Sequence, residues 1–512
     1  MSLHSGNIRK PSAVSRRTVL FGTAAATLLA TTGCIPYTRD PISTVGELTF
    51  SNPLRIPRLA DSTVDGDGIR NFDLTARAGA TEFLAGKQTP TWGFNRSYLG
   101  ETLRVRRGEK VRFKVRNELD ETTTVHWHGM HLPAEMDGTP HQPVPPGGQW
   151  HPHWTVHQQA ATLWYHPHPH GETEDHVNNG LAGMLIIDDD ESDRLGLPSE
   201  YGVDDVPVIV QDRSFDDEGE FTTSYRGING FLGDSILVNG TYAPYLEVET
   251  ELVRLRILNG SSARIYNFKF DDGRRFDLIG TDGGLLDRAQ RMQNIVLSPA
   301  ERAEIVVRMK PGTRATLRSA PQDLGAGFLT TGAGGNDRMD VLQLRAGPAL
   351  TRSRPLPTQL AAVEPLQPDN SATRREFVLD GTEINGKQMD MNRIDTVVPA
   401  SSLEVWTVRN VAGQPHNFHI HDVQFQVLDV DAHAPPPELS GWKDTVFLAG
   451  KSEVRLAVPF GAYTNPRVPY MYHCHLLWHE DRGMMGQFTV VPPGQVDSAP
   501  RKLEMKEMHH HA

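Results

Sequence analysis

Near its C-terminus the chain reads Tyr472-His473-Cys474-His475-Leu476-Leu477-Trp478-His479-Glu480-Asp481-Arg482-Gly483-Met484-Met485. One thiol, three imidazoles and a thioether fall within twelve residues. Cysteine, histidine and a weak axial methionine are the ligand set of a blue-copper electron-transfer site. The two histidines flanking the cysteine then need another role. In an extended chain successive side chains point to opposite faces. If Cys474 faces one copper, His473 and His475 face away from it, towards something else. The stretch therefore predicts two metal centres joined by a short covalent bridge.

Such side chains need strands to position them, and the sequence supplies a repeat of one. Residues 111–117 (VRFKVRN), 253–259 (VRLRILN) and 403–410 (LEVWTVRN) each alternate apolar and polar residues and end in Asn. This alternation marks a half-buried strand. Nine and eleven residues after Asn117 stand His126 and His128, and at the same offsets after Asn410 stand His419 and His421. At those offsets after Asn259 stand Phe268 and Phe270. One unit thus occurs three times, and its middle copy carries Phe-x-Phe in place of His-x-His. Histidines at i and i+2 on a strand share a face and can converge on one centre. Residues 164–168 (WYHPH) also match 471–475 (MYHCH), and each is followed by a Gly-led apolar segment, 183–187 and 486–490. His166 and His168 therefore correspond to His473 and His475, with Pro167 where Cys474 stands. The outer units hold eight histidines in paired positions, and only the third adds the thiol.

The motifs His126-Trp-His128-Gly129, His166-Pro-His168, His416-Asn-Phe-His419-Ile-His421 and His473-Cys-His475-Leu-Leu-Trp-His479-Glu-Asp-Arg-Gly-Met484 resemble those of the multicopper oxidases. The resemblance extends from about Asn71 to Pro493. Residues 91–95 (TWGFN), 145–148 (PPGG) and 441–444 (GWKD) resemble the bacterial branch that includes copper-efflux oxidases, spore-coat laccases and bilirubin oxidases. The resemblance implies an all-β chain of three cupredoxin-like Greek-key β-sandwich domains, at 45–195, 204–348 and 372–495, with four copper ions. Carried over position by position, the type 1 copper takes His416, Cys474 and His479, with Met484 axial. The type 2 copper takes His126 and His419. The type 3 pair takes His128, His166, His168, His421, His473 and His475. The trinuclear cluster then lies between the first and third domains, in keeping with a middle repeat that has no histidines.

The implied activity is a laccase-like oxidase, which couples one-electron oxidation of phenolic or aromatic donors to four-electron reduction of O2 to water. Electrons pass from the type 1 copper through Cys474 to His473 and His475. Oxygen reduction consumes protons. Asp137 and Glu480 resemble the family's proton-relay acids, with an exposed loop acid the other reading of each. A cuprous oxidase serving copper tolerance is the alternative. A non-catalytic copper-binding envelope protein is a third reading, opposed by the filled ligand positions. Copper-efflux oxidases carry a Met- and His-rich insertion in the third domain, whereas residues 355–380 here are short and contain neither residue. The type 1 edge is therefore expected to be more open to organic reductants than in those relatives, with Met389 and Met391 the nearest candidates for a Cu(I) contact. The other histidines, His131, His141, His151, His153, His157, His170, His176 and His433, are not assigned as ligands. His170 reads as a neighbour of the ligands or an exposed residue, and His509, His510 and His511 as a tail.

Composition agrees with export and with turns. The 512 residues exceed what one core organises, so two to four domains are expected. Gly 46 and Pro 36 suit an all-β chain. The net charge of −12 argues against nucleic acid as a partner. Arg16-Arg17 followed by the apolar run 21–30 reads as a twin-arginine export signal within 1–34, too short to span a membrane. The expected destination is periplasmic, cell-surface or secreted. Residues 30–34 (ATTGC) resemble a lipoprotein cleavage box that lacks its usual Leu, so a lipid anchor at Cys34 is one outcome and loss with the signal the other. Either way Cys474 remains a lone thiol in an oxidising compartment, and metal ligation explains its presence. The mature protein is expected to be a monomer without a transmembrane span.

Overall fold

The computed structural model describes residues 39–223 and 226–503. The expected export signal with Cys34 and the histidine triplet 509–511 lie outside the described residues. Among the described residues strands dominate, and the α-helices, Thr173–Asn179, Asp190–Arg194 and Leu477–Asp481, are one or two turns long.

Each alternating segment read from the sequence forms a strand: Lys110–Asn117, Leu252–Asn259 and Leu403–Asn410. In the first, Val111, Phe113 and Val115 are buried while the residues between them are partly exposed. The middle copy is buried on both faces. Its polar Arg254 and Arg256 pair with Glu304, and Arg256 also pairs with Asp205 and with Thr162 of a neighbouring sheet. The closing Asn has the same role in all three copies. Its Oδ1 accepts the backbone N–H two residues on, at Leu119, Ser261 and Ala412. Its Nδ2 donates to two carbonyls beyond, those of Glu121 and Val144, Arg264 and Leu297, and Gln414 and Ala449. Asn thus fixes the turn that leads to the ligand-bearing position, which is why it recurs where the histidines do not.

The strands assemble into three two-sheet sandwiches. A four-stranded and a six-stranded sheet make the first, seven and six strands the second, and two five-stranded sheets the third. Non-consecutive neighbours in each of these six sheets reflect Greek-key crossovers, and the chain is an all-β protein of three cupredoxin-like domains. Each sandwich has its own apolar core, with Phe113 and Trp127 in the first, Phe268 and Phe270 in the second, and Trp406 and Phe418 in the third. Strand Asn52–Pro53, within the segment expected to open the first domain, instead pairs in parallel with Pro244–Thr250 of the second.

Register brings the histidines together. His126–His128 pairs antiparallel with Ala161–His166, setting His126 opposite His166. In the third sandwich His416–Ile420 pairs with Tyr470–His473, setting His419 opposite His473. The Gly-led segments are the next strands on, with Tyr165 opposite Gly183 and Tyr472 opposite Gly486.

Candidate metal centres

The two outer sandwiches present their histidine pairs to each other. The His126 ring stacks on His421 at 3.9 Å between centroids, and the His128 ring stacks on His419 at 3.8 Å. Further in, His168 Nε2 and His421 Nε2 each lie 3.2 Å from His473 Nε2. On the other side His166 Nε2 lies 3.4 Å from both His128 Nδ1 and His475 Nε2. The six side chains grouped from the sequence as one set therefore separate into two triads, His168/His421/His473 and His128/His166/His475. His126 and His419 remain. Their Nε2 atoms are buried without a hydrogen-bond partner, a state that costs about 1–3 kcal/mol each. Together with His421 their donor atoms lie within 4.8 Å of one another.

Elements and turns aim these rings. His126 Nδ1 bonds the Asp137 carbonyl at 2.9 Å, and Asp137 Oδ2 accepts from His421 Nδ1 at 2.7 Å. Asp137 ends the short turn Ala134–Met136, and Gly138 follows it at φ +79°. A Cβ on Gly138 would collide with the Val125 carbonyl, so only glycine lets the turn press against the strand that begins at His126. Glu480 makes the matching clamp on the other side, with Oε2 3.1 Å from His473 Nδ1 and Oε1 3.5 Å from His168 Nδ1. Asp137 and Glu480 are both fully buried between imidazoles, which excludes the exposed-loop reading of either.

The charge state suits a metal cation. Burial, then neighbouring imidazoles, holds His128, His166, His419 and His421 well below the usual imidazole value, and burial with His473 does the same for His475. Burial takes His168 to about 3 despite the Glu480 carboxylate beside it. Burial alone would raise Glu480, but His168 and His473 hold it at about 2. At neutral pH these six rings are uncharged imidazoles, flanked by carboxylates. This is a donor set suited to borderline-soft cations.

The bridge leads to a second pocket. Cys474, a free and buried thiol, places Sγ 3.6 Å from His416 Nδ1 and 3.6 Å from His479 Nδ1. Its neighbours His473 and His475 point into the histidine cluster. Met484 closes the loop around the thiol: its carbonyl accepts from Cys474 N–H at 3.1 Å, and its N–H donates to the His479 carbonyl at 3.0 Å. Burial raises the thiol to about 12 and lowers His479 to about 4. A metal bound here would displace the thiol proton.

The second sandwich, which has no histidines in its repeat, holds side chains of both centres from behind. Asn417 donates to Ser298 Oγ and to the Pro299 carbonyl, and its own Oδ1 accepts from His475 N–H at 2.6 Å, 3.6 Å from Cys474 Sγ. Arg302 forks onto Asp444 at 2.8 and 2.5 Å. Asp444 in turn accepts from His128 Nε2 at 3.1 Å and from Thr445 Oγ1, which lies 3.2 Å from His419 Nδ1. Asp282 and Glu301 pair with the buried Lys443 beside it. The sequence singled out residues 441–444 only as a family-like string. The one local hint of a role was a Lys-Asp pair at the start of an apolar strand.

The expected open edge on the Cys474 pocket is not observed. His416, Cys474, His479 and Met484 are each 0% exposed. The cover is a hairpin of the second sandwich, strands Arg226–Gly227 and Gly230–Phe231, whose Ile228 carbonyl accepts from His479 Nε2 at 3.0 Å. An insertion in the third domain is not the sole way to close this face. Met389 and Met391 are half-buried, and Met389 N–H donates to the Gly483 carbonyl at 2.8 Å, beside the turn that carries Met484. His151, His153, His157, His170 and His433 are exposed. His131, His141 and His176 bond Asp422, Gln487 and Thr123.

Comparison with known proteins agrees with this geometry. Two multicopper oxidase family models match, one over residues 75–192 and the other over 356–494, the two outer sandwiches. The chain is 37% identical to multicopper oxidase mco of Staphylococcus haemolyticus, over 86% of this chain and 93% of that one. It is 36% identical to the cell division protein FtsP of Escherichia coli, over 86% and 93%. Among solved structures, the laccase of Pediococcus acidilactici superposes with a TM-score of 0.78 at 37% identity, covering 86% of this chain and 93% of that one. McoA from Aquifex aeolicus superposes at 0.79 with 32% identity, covering 86% and 99%. With its histidine clusters intact, and with relatives of this identity along most of its length, the chain belongs to the multicopper oxidase family, whose members bind copper.

Proposed function

We propose that the protein is a laccase-like four-copper oxidase that takes electrons singly from phenolic or aromatic donors and uses them to reduce O2 to water. The observation that carries this reading is the bridge: one cysteine in a His416/His479/Met484 pocket, with both its neighbours inside an eight-histidine cluster. In this reading the type 1 copper is held by His416, Cys474, His479 and Met484, and the type 2 copper by His126 and His419. One type 3 copper is held by His128, His166 and His475, the other by His168, His421 and His473. Bound copper supplies one-electron chemistry at the first centre and an O2 site at the second. The chain supplies the rest. Cys474 carries each electron through the peptide to His473 and His475. Asp137 and Glu480 hold the cluster imidazoles from their Nδ1 side and provide buried carboxylates through which the four protons consumed per O2 can pass.

Every ligand position comes from one chain, so a monomer suffices. No helix among the described residues is long and apolar enough to cross a membrane. The Arg16-Arg17 segment supports twin-arginine export, with Cys34 a lipid-attachment site in that reading.

The second reading, a cuprous oxidase in copper tolerance, is favoured by the Met389 loop packed beside the Met484 turn. Oxygen uptake with a phenol, with and without added Cu2+, separates the two. Phenol oxidation without added copper supports the first reading, and oxidation only in excess copper sinks it. The likeness to a cell division protein leaves room for the third reading, a non-catalytic envelope protein, but a protein that had abandoned redox chemistry would have no need of a complete, buried ligand set.

A further inference from the structure

We infer that the second sandwich carries a size-selecting cover over the electron-accepting centre. The hairpin Arg226–Gly227/Gly230–Phe231, clasped by the loop 324–335, stands between any donor and His479. The inference rests on the oxidase reading above and concerns which donors that site accepts.

His479 is 0% exposed, and the atom it would turn to a donor, Nε2, is already bonded to the Ile228 carbonyl at 3.0 Å. A donor therefore cannot touch the ring without displacing the hairpin. The hairpin is held on both sides. Gly230, at φ +121°, lies so close to Trp478 of the third sandwich and to Ala263 of its own that a Cβ there would be 2.9 Å from the first Cβ and 3.2 Å from the second. A Cβ on Gly227 would run into the Gly332 carbonyl of the clasping loop. Ile228 is buried with Ile265, Leu324, Ala326 and Ala333, and the Leu324 carbonyl accepts from Gly450 N–H at 2.9 Å, tying the loop to the third sandwich. Glycines at the two closest approaches, an apolar plug between them and a hydrogen bond onto the ligand ring make a fitted lid. With Ile228 itself buried, a donor docks on the outside of the lid and its electron crosses the Ile228 carbonyl to His479, so the compact donors that pack closest transfer fastest. A phenol releases its hydroxyl proton to solvent in the same step and leaves as a radical. Broad, rigid donors are held further off and react slowly.

The test pries the lid from either side. In the copper-loaded full chain, Gly230→Leu and, separately, Gly227→Leu should raise kcat/KM for syringaldazine by about tenfold, with hydroquinone within about twofold. Comparing each donor with itself across variants removes its own potential from the ratio. The red type 1 absorption should persist, which shows the centre intact. In copper-free protein, diethylpyrocarbonate labelling mapped by mass spectrometry should leave His479 protected in the parent while the exposed His170 reacts, and should reach His479 in the variants. Equal changes for both donors, or His479 labelled as fast as His170 in the parent, overturn the cover. If neither donor supports oxygen uptake in the parent, the oxidase reading fails instead, and the labelling still decides whether the lid exists.

Discussion

Arg302 offers the sharpest test of the claim that a sandwich without copper ligands organises the copper cluster. Its guanidinium is 0% exposed and donates to both Asp444 oxygens and to the carbonyls of Thr162, Ala300 and Asp282. Asp444 is equally buried, and burial pushes its carboxyl above the usual range while Arg302 opposes the shift. Arg302→Met leaves that carboxylate without its counter-charge, and breaking a buried pair in this way costs about 3–5 kcal/mol. Asp444 then protonates or moves, and in either case the charge-assisted hold on His128 Nε2 and on Thr445 next to His419 is weakened or lost. Loss of such an outer partner weakens metal affinity by roughly 10–100-fold. The assay has two parts: urea unfolding of the copper-free protein followed by tryptophan fluorescence, and copper retained per chain after dialysis against a chelator. Because Arg302 and Asp444 act as a pair, the Arg302→Met/Asp444→Asn double variant should recover about 0.5–3 kcal/mol relative to the sum of the single losses. Additivity within about 0.5 kcal/mol, or full copper retention in Arg302→Met, refutes the reasoning.

Other outcomes follow from the same geometry. Cys474→Ser should abolish the red absorption band and the copper that gives rise to it, while the histidine cluster, whose rings are held independently by Asp137, Glu480 and Asp444, still loads; absorption and electron paramagnetic resonance read both. Asp137→Asn and Glu480→Gln should each slow reoxidation of the reduced enzyme by O2 by about 100-fold with donor oxidation in the anaerobic half-reaction unchanged. A loss confined to the donor half-reaction would contradict the relay role. Copper-free protein should lose stability in mild acid. His168 and His479 sit at about 3 and about 4 when folded, below their unfolded value of 6.5, so the unfolded chain takes up protons first and stability falls as pH drops from 6.5 towards those values. Each contributes about 1.4 kcal/mol per pH unit across its window. Urea midpoints that do not move between pH 7 and pH 5.5 would show that these rings are not buried as described.

Much of the site was readable because the chemistry is written in pairs. A His-x-His on a strand faces one way whatever the surroundings, and the recurring Asn ties each pair to a strand whose alternation is visible in the sequence. The reading of His473 and His475 as turned away from Cys474 needs only the alternation of an extended chain. The division of the remaining imidazoles into His168/His421/His473 and His128/His166/His475 was not readable, because it depends on which ring of one sandwich stacks on which ring of another. The role of Asp444 was hidden for the same reason: it lies 316 residues from His128 and 142 from Arg302, so no local pattern connects them.

The sequence by itself determined the donor types, their pairing and the bridge through Cys474, since these follow from side-chain chemistry and the period of a strand. The tertiary structure alone decided access and support. The short 355–380 segment pointed to an open donor face, yet a hairpin 251 residues from His479 closes it with a backbone carbonyl. A carbonyl carries no residue signature, and its effect depends wholly on where the second sandwich docks. For the same reason the middle repeat, which reads in the sequence as a unit that lost its function, in the folded chain holds Asn417 and Asp444 in place from behind and covers His479.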